Sequence, residues 1–400
     1  MESKLNVVKF KDFITLKRGY DLPTRKRKTG NVPVLSSSGI SGNHNEYKVD
    51  GPGVITGRSG LIGSVYYIRK EFWPLNTTLY VTDFKGNNPL YVYYKLKTIN
   101  LKNFATGSSV PTLNRNHLDS IDVNIHDKEK QKKQIFILEK IDKKINLNRQ
   151  IIANLEELSQ TLFKRWFVDF EFPDKDGNPY KSSGGEINDT NNLPPNWKYE
   201  SAKDIYTINI GKTPPRKLTE LFNTKNGIDW VAISDMKADG PFINITKENL
   251  SESAVKEYRV KLVPKNSVLL SFKLTIGRVK ITNKELATNE AIAHFVTNTI
   301  NSIYTYLYLK NFNFESLGNT SSIANAINSK IVKEMPILVP TSEILEKFKE
   351  IITPIFEKIE FQQKENILLT QLRDTLLPKL MSGEIDIPDD IEVNEDELSI

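Results

Sequence analysis

Between Gln131 and Trp166 the apolar residues recur at alternating spacings of three and four. Leu138, Ile141, Ile145, Ile152, Leu155, Leu162 and Trp166 fall on one seam, with Asn148 and Ser159 as its polar members, and no Gly or Pro interrupts it. That rhythm predicts a helix with a single apolar stripe, and a helix of ~36 residues is about 54 Å long. The same pattern returns 214 residues later as Ile352, Ile355, Ile359, Leu369, Leu376 and Leu380, with Gln362, Asn366 and Arg373 as polar members. Here Thr353-Pro354 should break or kink the first turns and Pro378 the last. A stripe of this length needs a partner, so the two copies are expected to form an antiparallel coiled coil. The alternative is that each helix packs on its own domain.

Outside these helices the pattern is shorter. Val54-Ile55-Thr56, Gly63 to Ile68 and Leu79-Tyr80-Val81 read as strands between Gly, Pro and Asn turns, and Val268 to Ser271 and Arg278 to Ile281 repeat them. Leu90 to Leu96 and Ile303 to Leu309 read as tyrosine-rich helices. The correspondence is an internal repeat of half the chain. Lys11, Asp12 and Gly19 match Lys203, Asp204 and Gly211 at an offset of 192. Val54, Ile62 and Gly63 match Val268, Ile276 and Gly277 at 214, while Asn76 and Leu79 match Asn289 and Ile292 at 213. Ser108-Ser109-Val110 matches Ser321-Ser322-Ile323, also at 213. The offset drifts in the mixed parts and holds at 214 through the helices. Insertions belong to the former and a rigid element to the latter.

The fold class is therefore α+β: two mixed α/β domains in internal repeat, separated by two long helices forming an antiparallel coiled coil. The expected boundaries are a first domain at 1–130, a first spacer helix at 131–170, an exposed Gly-, Pro- and Asn-rich linker at 171–197, a second domain at 198–342, a second spacer helix at 343–382 and an acidic tail at 383–400.

Composition narrows the partners. The 400 residues include no cysteine, which excludes disulfides and thiolate metal sites. The start has no signal-peptide run and no stretch is apolar enough to span a membrane, so a cytoplasmic setting is expected. The formal charge is +6, but residues 381–400 carry eight acidic side chains and no Lys or Arg, so residues 1–380 stand at +14. A surplus of that size favours a polyanion, because each neutralised phosphate releases counterions.

Fragments that resemble catalytic motifs fail on inspection. Gly211-Lys212-Thr213 ends like a phosphate loop, but Tyr206 stands where its first glycine is required. Asp174 to Asn178 has the wrong spacing for a calcium loop. His44, His117, His126 and His294 have no metal-ligand spacing, and no nucleophile, base and orienter can be assembled. No catalytic residue, metal ligand or cofactor site is assigned to this chain.

DNA reading requires fork or amide side chains at base edges, backed by phosphate contacts. The first half offers Lys17, Arg18, Tyr20, the run Arg25, Lys26, Arg27, the turn residues Arg58 and Ser59 between glycines, and Asn76 and Thr77. The second offers Lys212, Arg216, Lys217, Lys273, Arg278 and Asn289. The segment from Thr106 to Asn114 is too similar to Asn319–Asn325 to read a different half-site, and suits a structural, phosphate-contacting or partner-contacting role.

Three stretches carry a resemblance to a known family: Gly107-Ser108-Ser109-Val110-Pro111-Thr112-Leu113-Asn114, Leu162 to Phe170 closing the first helix, and Leu376 to Glu384 closing the second. With the repeat, they make the chain resemble the specificity subunit of type I restriction–modification enzymes over nearly its whole length. The resemblance implies two target-recognition domains, each reading half of a bipartite double-stranded DNA target. It also implies that the helices act as a ruler and docking surface for two methyltransferase subunits. Those subunits would carry the S-adenosylmethionine chemistry and a restriction (motor) subunit the ATP- and Mg-dependent cleavage. The remaining alternatives are a coiled-coil or DNA-binding scaffold without sequence specificity, such as an inhibitor of such complexes, and a stand-alone nuclease or methyltransferase. Ala324 in place of Pro111 and the interruption at Pro354 put the symmetry of the two docking faces in question.

Overall fold

A computed structural model of the chain describes residues 5–107, 111–224, 226–297, 300–317, 327–388, 391 and 393. The chain divides into two compact units, one made of residues 1–145 with 368–400 and the other of residues 146–367.

In the first unit an antiparallel sheet runs in the order Thr15–Arg18, Thr78–Asp83, Gly53–Gly57, Val65–Ile68. The β-branched centre of this sheet is fully enclosed, with Val54 and Ile55 at zero exposure. The tyrosine-rich stretch is a helix, Pro89–Thr98, begun by Asn88, whose side chain accepts from the Leu90 amide. Tyr91, Tyr94 and Leu96 bury its inner face in the core formed with Phe10, Phe13 and Val54.

The second unit repeats the plan. Its five-stranded sheet runs Tyr206–Ile210, Ile292–Thr297, Val268–Ser271, Val279–Thr282, Phe242–Ile243, and its first four strands answer those of the first unit. Register repeats as well: Val54 pairs with Tyr67 and Val268 with Ile281, while Lys17 pairs with Tyr80 and Asn209 with His294. The helix Ser302–Asn311 is capped by Asn301 as the earlier one is by Asn88.

The two long helices are Lys128–Phe167 and Ser342–Ser382, 40 and 41 residues. The expected break at Pro354 does not occur, nor does one at Pro378; the second helix continues through both. An interior proline costs about 3 kcal/mol, and the complete burial of Ile352, Phe356 and Ile359 around Pro354 offsets it. The helices touch in antiparallel sense within each unit. In the first, Gln134 donates to the Leu380 carbonyl (2.8 Å) and Asp142 meets Arg373 (2.7 Å). In the second, Asn148 donates to Glu365 (2.7 Å) and Asn366 (3.0 Å).

The pairing is not that of a free-standing coil. Leu138, Ile141, Ile145, Ile152 and Ile359 are buried, but Leu155, Leu162, Ile355, Leu369 and Leu376 are only half-buried. The deeper contacts on the second helix come from Phe348, Ile352, Phe356, Leu377, Leu380 and Met381, which enter the globular cores. Packing on a domain and packing between helices thus coexist, because each helix meets both a partner and a sheet-and-helix layer.

The linker, expected to be exposed, and the first residues of the acidic tail are docked by aromatic, apolar and ionic contacts. In the linker, Phe172 stacks on Tyr180 (4.5 Å) and on Trp197 (5.2 Å), and Leu193 is buried. In the acidic tail, Asp386 pairs with Lys130 (3.0 Å) while Ile385 and Ile387 pack against the first core. Ser108–Val110, Asn319–Asn325 and most of the acidic tail lie outside the described residues.

Candidate nucleic-acid interface

Three segments meet at one end of the strands of each main sheet: the end of the strand that follows a short helix, the tip of a hairpin, and the loop leading into a central strand. In the first unit these are Lys17–Asp21, Gly57–Ser64 and Leu75–Thr78. The Arg58 and Ser59 amides both donate to the Thr77 carbonyl (2.8 and 3.2 Å), and the Asn76 amide donates to the Tyr20 carbonyl (3.0 Å). In the second unit the segments are Ile210–Thr213, Ser271–Arg278 and Thr288–Ile292, and the Phe272 amide donates to the Ala291 carbonyl (3.0 Å).

Close approach explains the repeated glycines. A Cβ on Gly19 would overlap the Leu75 carbonyl oxygen, and one on Gly211 would overlap that of Asn289. This equivalence, with Thr77 answering Ala291, corrects the expected alignment. Asn76 corresponds to Glu290 and not to Asn289. The sequence match slid by one residue to bring like amides together, whereas backbone hydrogen bonds fix the offset at 214.

The first site is cationic. A cleft of about 570 Å³ is lined by Lys17, Arg18, Arg58, Thr106, Thr112 to Asn114 and Arg115. Arg58 is half-buried and its carbonyl accepts from the Leu113 amide (2.8 Å). Ser59 bridges to Thr112. Arg115, not anticipated from sequence, donates to the Leu16 carbonyl (3.2 Å) and brings a further guanidinium to the cleft wall. Its only signal was its position after Asn114, at the end of the repeated segment. The Tyr20 and Tyr80 hydroxyls are hydrogen-bonded at 3.0 Å. That bond, against burial but with the nearby Lys17 ammonium, holds the Tyr20 hydroxyl below the usual phenol range. Asn76 donates to the Asp21 carboxylate. Arg25 and Lys26 stand exposed on a short 3-10 turn, outside the cleft lining. Arg27 is engaged with the Ser41 carbonyl at 2.7 Å.

The second site uses different side chains at the same places. Arg58 is answered by the buried Phe272, and Gly60, in the left-handed region at φ +78°, by Leu274 at φ +63°. Leu274 is 97% exposed, with Lys273 beside it. Arg216 pairs with Glu248 (2.8 Å) and lies 4.6 Å from the ring centres of Phe222 and Trp230. Lys212 is exposed, and its carbonyl accepts from the Trp230 indole (3.3 Å). Lys217 is exposed, and Asn289 uses its side chain to accept from the Ala291 amide (3.1 Å). Arg278 donates to the Ile233 carbonyl (2.8 Å) and so braces the hairpin. Thr213 donates to the Glu290 carboxylate. Burial pushes that carboxyl up, but the Thr213 hydroxyl and the Lys273 and Arg216 charges outweigh it and hold it below the usual range.

Among the described residues no cluster of His, Asp or Glu could hold a metal ion, and no helix is long and apolar enough to cross a membrane. The model of the type I restriction modification DNA specificity domain matches the chain twice, at residues 2–157 and 194–371, once for each repeat. The chain belongs to this family. It is a sequence-specific DNA-binding specificity subunit of a type I restriction–modification system. It is 28% identical over 337 residues to the type I restriction enzyme HindI specificity subunit of Haemophilus influenzae, covering 69% of this chain and 71% of that one. It is also 28% identical over 309 residues to the type I restriction enzyme MjaIX specificity subunit of Methanocaldococcus jannaschii, covering 74% and 68%. The fold matches the crystal structure of the S subunit of a type I restriction-modification system from M. genitalium, with a TM-score of 0.59 and 16% identity over 97% of each chain.

Proposed function

We propose that this chain reads a bipartite DNA target, one half-site with each unit. The observation that carries this reading is the double construction of the site. The same three backbone segments converge twice, but one copy bears Lys17, Arg18, Arg58 and Arg115 and the other Lys212, Arg216 and Lys273. Lysines and arginines hold phosphates and fix register, and the differing side chains among them read different bases.

In this reading the long helices set the gap between half-sites and dock two methyltransferase subunits, with a restriction subunit completing the assembly. Leu147 and Leu158 on the first helix, and Phe361, Leu368 and Leu372 on the second, leave apolar surface exposed that favours protein partners. Base modification and cleavage, with their S-adenosylmethionine, ATP and Mg, reside in those partners, and the assembly works on cytoplasmic DNA. The test is purification of the full-length chain with two copies of the methyltransferase subunit, followed by selection from a random duplex library. Recovery of two fixed half-sites at a constant gap is the expected result. A preference-free, salt-sensitive interaction would instead mark a scaffold.

A further inference from the structure

The two sites share one side-chain pair whose chemistry is exchanged between its ends. In the first unit the strand-end residue Asp21 carries the carboxylate and the loop residue Asn76 donates to it. In the second, the strand-end residue Thr213 donates and the loop residue Glu290 carries the carboxylate. The positions are equivalent: Asp21 and Thr213 each lie two residues after the repeated glycine, and Asn76 and Glu290 each follow the residue whose carbonyl approaches it.

A carboxylate here is hard to explain by phosphate binding. Glu290 feels the charges of Lys273 and Arg216, and Asp21 follows by three residues Arg18, which lines the cationic cleft with Lys17 and Arg58. A fixed negative charge among such cations repels a polyanion and weakens general DNA affinity. It is not a deep structural ion pair either, since Asp21 and Glu290 are both exposed. What a carboxylate gains in a groove is a hydrogen-bond donor, and the donors that DNA presents on base edges are the exocyclic amino groups of cytosine and adenine.

We propose that Asp21–Asn76 and Thr213–Glu290 are the base-reading pairs of the two units, each carboxylate accepting from the exocyclic amino group of a cytosine or adenine. The neutral partner holds the carboxylate in position and offers its own group to a neighbouring edge. Moving the charge from strand end to loop moves the selected base relative to the cations, so equivalent scaffolds read different half-sites. This rests on the DNA-reading function proposed above.

The test uses the full-length chain assembled with its methyltransferase subunits, as wild type, Asp21→Asn and Glu290→Gln, each selected against a random duplex library. Both substitutions are nearly isosteric and leave an oxygen to accept from the partner, so thermal melting should match wild type. Asp21→Asn should lose preference at one position of one half-site, by about tenfold, with the other half-site intact. Glu290→Gln should do the same in the other half-site. A lost cytosine or a lost adenine identifies the base read. Unchanged consensus sequences for both variants would overturn the pairing. So would stronger binding to all duplexes alike with a steeper salt dependence, which would make the carboxylates mere electrostatic tuning. A wild type that selects no consensus would instead remove the underlying DNA-reading function.

Discussion

Asp142 on the first long helix and Arg373 on the second form an ion pair at 2.7 Å, and the Tyr94 hydroxyl donates to the other carboxylate oxygen, also at 2.7 Å. Arg373 occupies a seam position that an apolar residue would otherwise fill. The pair is only partly exposed, and Arg373 also reaches Asp374 at 2.8 Å. It therefore joins both helices to the tyrosine helix of the first unit. Arg373→Ala should lower stability by about 1–2 kcal/mol, between an exposed pair and a buried one. Urea denaturation of the full chain measures it, and an unchanged midpoint would show the pair to be incidental.

Cationic residues at the cleft should reveal themselves through salt. Arg58→Ala and Arg115→Ala should each weaken binding at one half-site by roughly tenfold and reduce the salt slope by about one. The helical content of the chain should not change. Titrations at several salt concentrations, with circular dichroism as control, check both points.

Helix length should set the gap. Residues of the two helices oppose each other in antiparallel order, 134 with 380 and 142 with 373. A heptad removed from the first helix at 139–145 should therefore be matched by one removed at 369–375 of the second. Such a deletion shortens each helix by about 10 Å, close to three base pairs of DNA, and should shorten the selected gap accordingly. A constant gap would show that something other than the helices sets spacing.

Leu274 carries a conformation that suits glycine, as its counterpart Gly60 shows. The Thr275 amide donates to the Lys273 carbonyl at 2.7 Å, which closes a γ-turn around it. Leu274→Gly should raise stability by up to about 1 kcal/mol, because the left-handed penalty on a side chain exceeds the entropy that glycine adds to the unfolded chain. Thermal melting reads the sign directly.

Acid should destabilise both units in one window. Burial pushes His126 down to about 4, helped by Lys95 and Lys130 against Asp127 and Asp386, and burial alone pushes His294 down to about 4. The unfolded chain takes up these protons near the usual pKa of about 6.5, whereas the folded chain refuses them until about 4. Stability is whole above that upper value and falls with pH between the two, by up to about 1.4 kcal/mol per pH unit for each histidine. His126→Gln should flatten the profile within this window, and an unaltered profile would assign the acid response elsewhere.

Much of the architecture was legible in the sequence. Periodicity located both long helices, since a stripe at alternating spacings has no other stable use, and Gly19 and Gly211 betrayed the repeat because no side chain fits where they lie. Pro354 misled, because its local penalty is visible in the sequence while the burial of Ile352, Phe356 and Ile359 is not.

The site divides along the same line. Sequence alone determined that the chain is basic outside its tail, built twice, and equipped with the candidate cations Lys17, Arg58, Arg216 and Lys273, of which Arg58 stands between turn glycines, because charge and turn chemistry are local. Only the tertiary structure decided that Arg115 joins the first cleft, that Arg278 and Arg27 are engaged with backbone carbonyls, and that Asn76 answers Glu290. Those facts depend on hydrogen bonds between residues from 14 to 99 positions apart, whose register no one-dimensional pattern specifies.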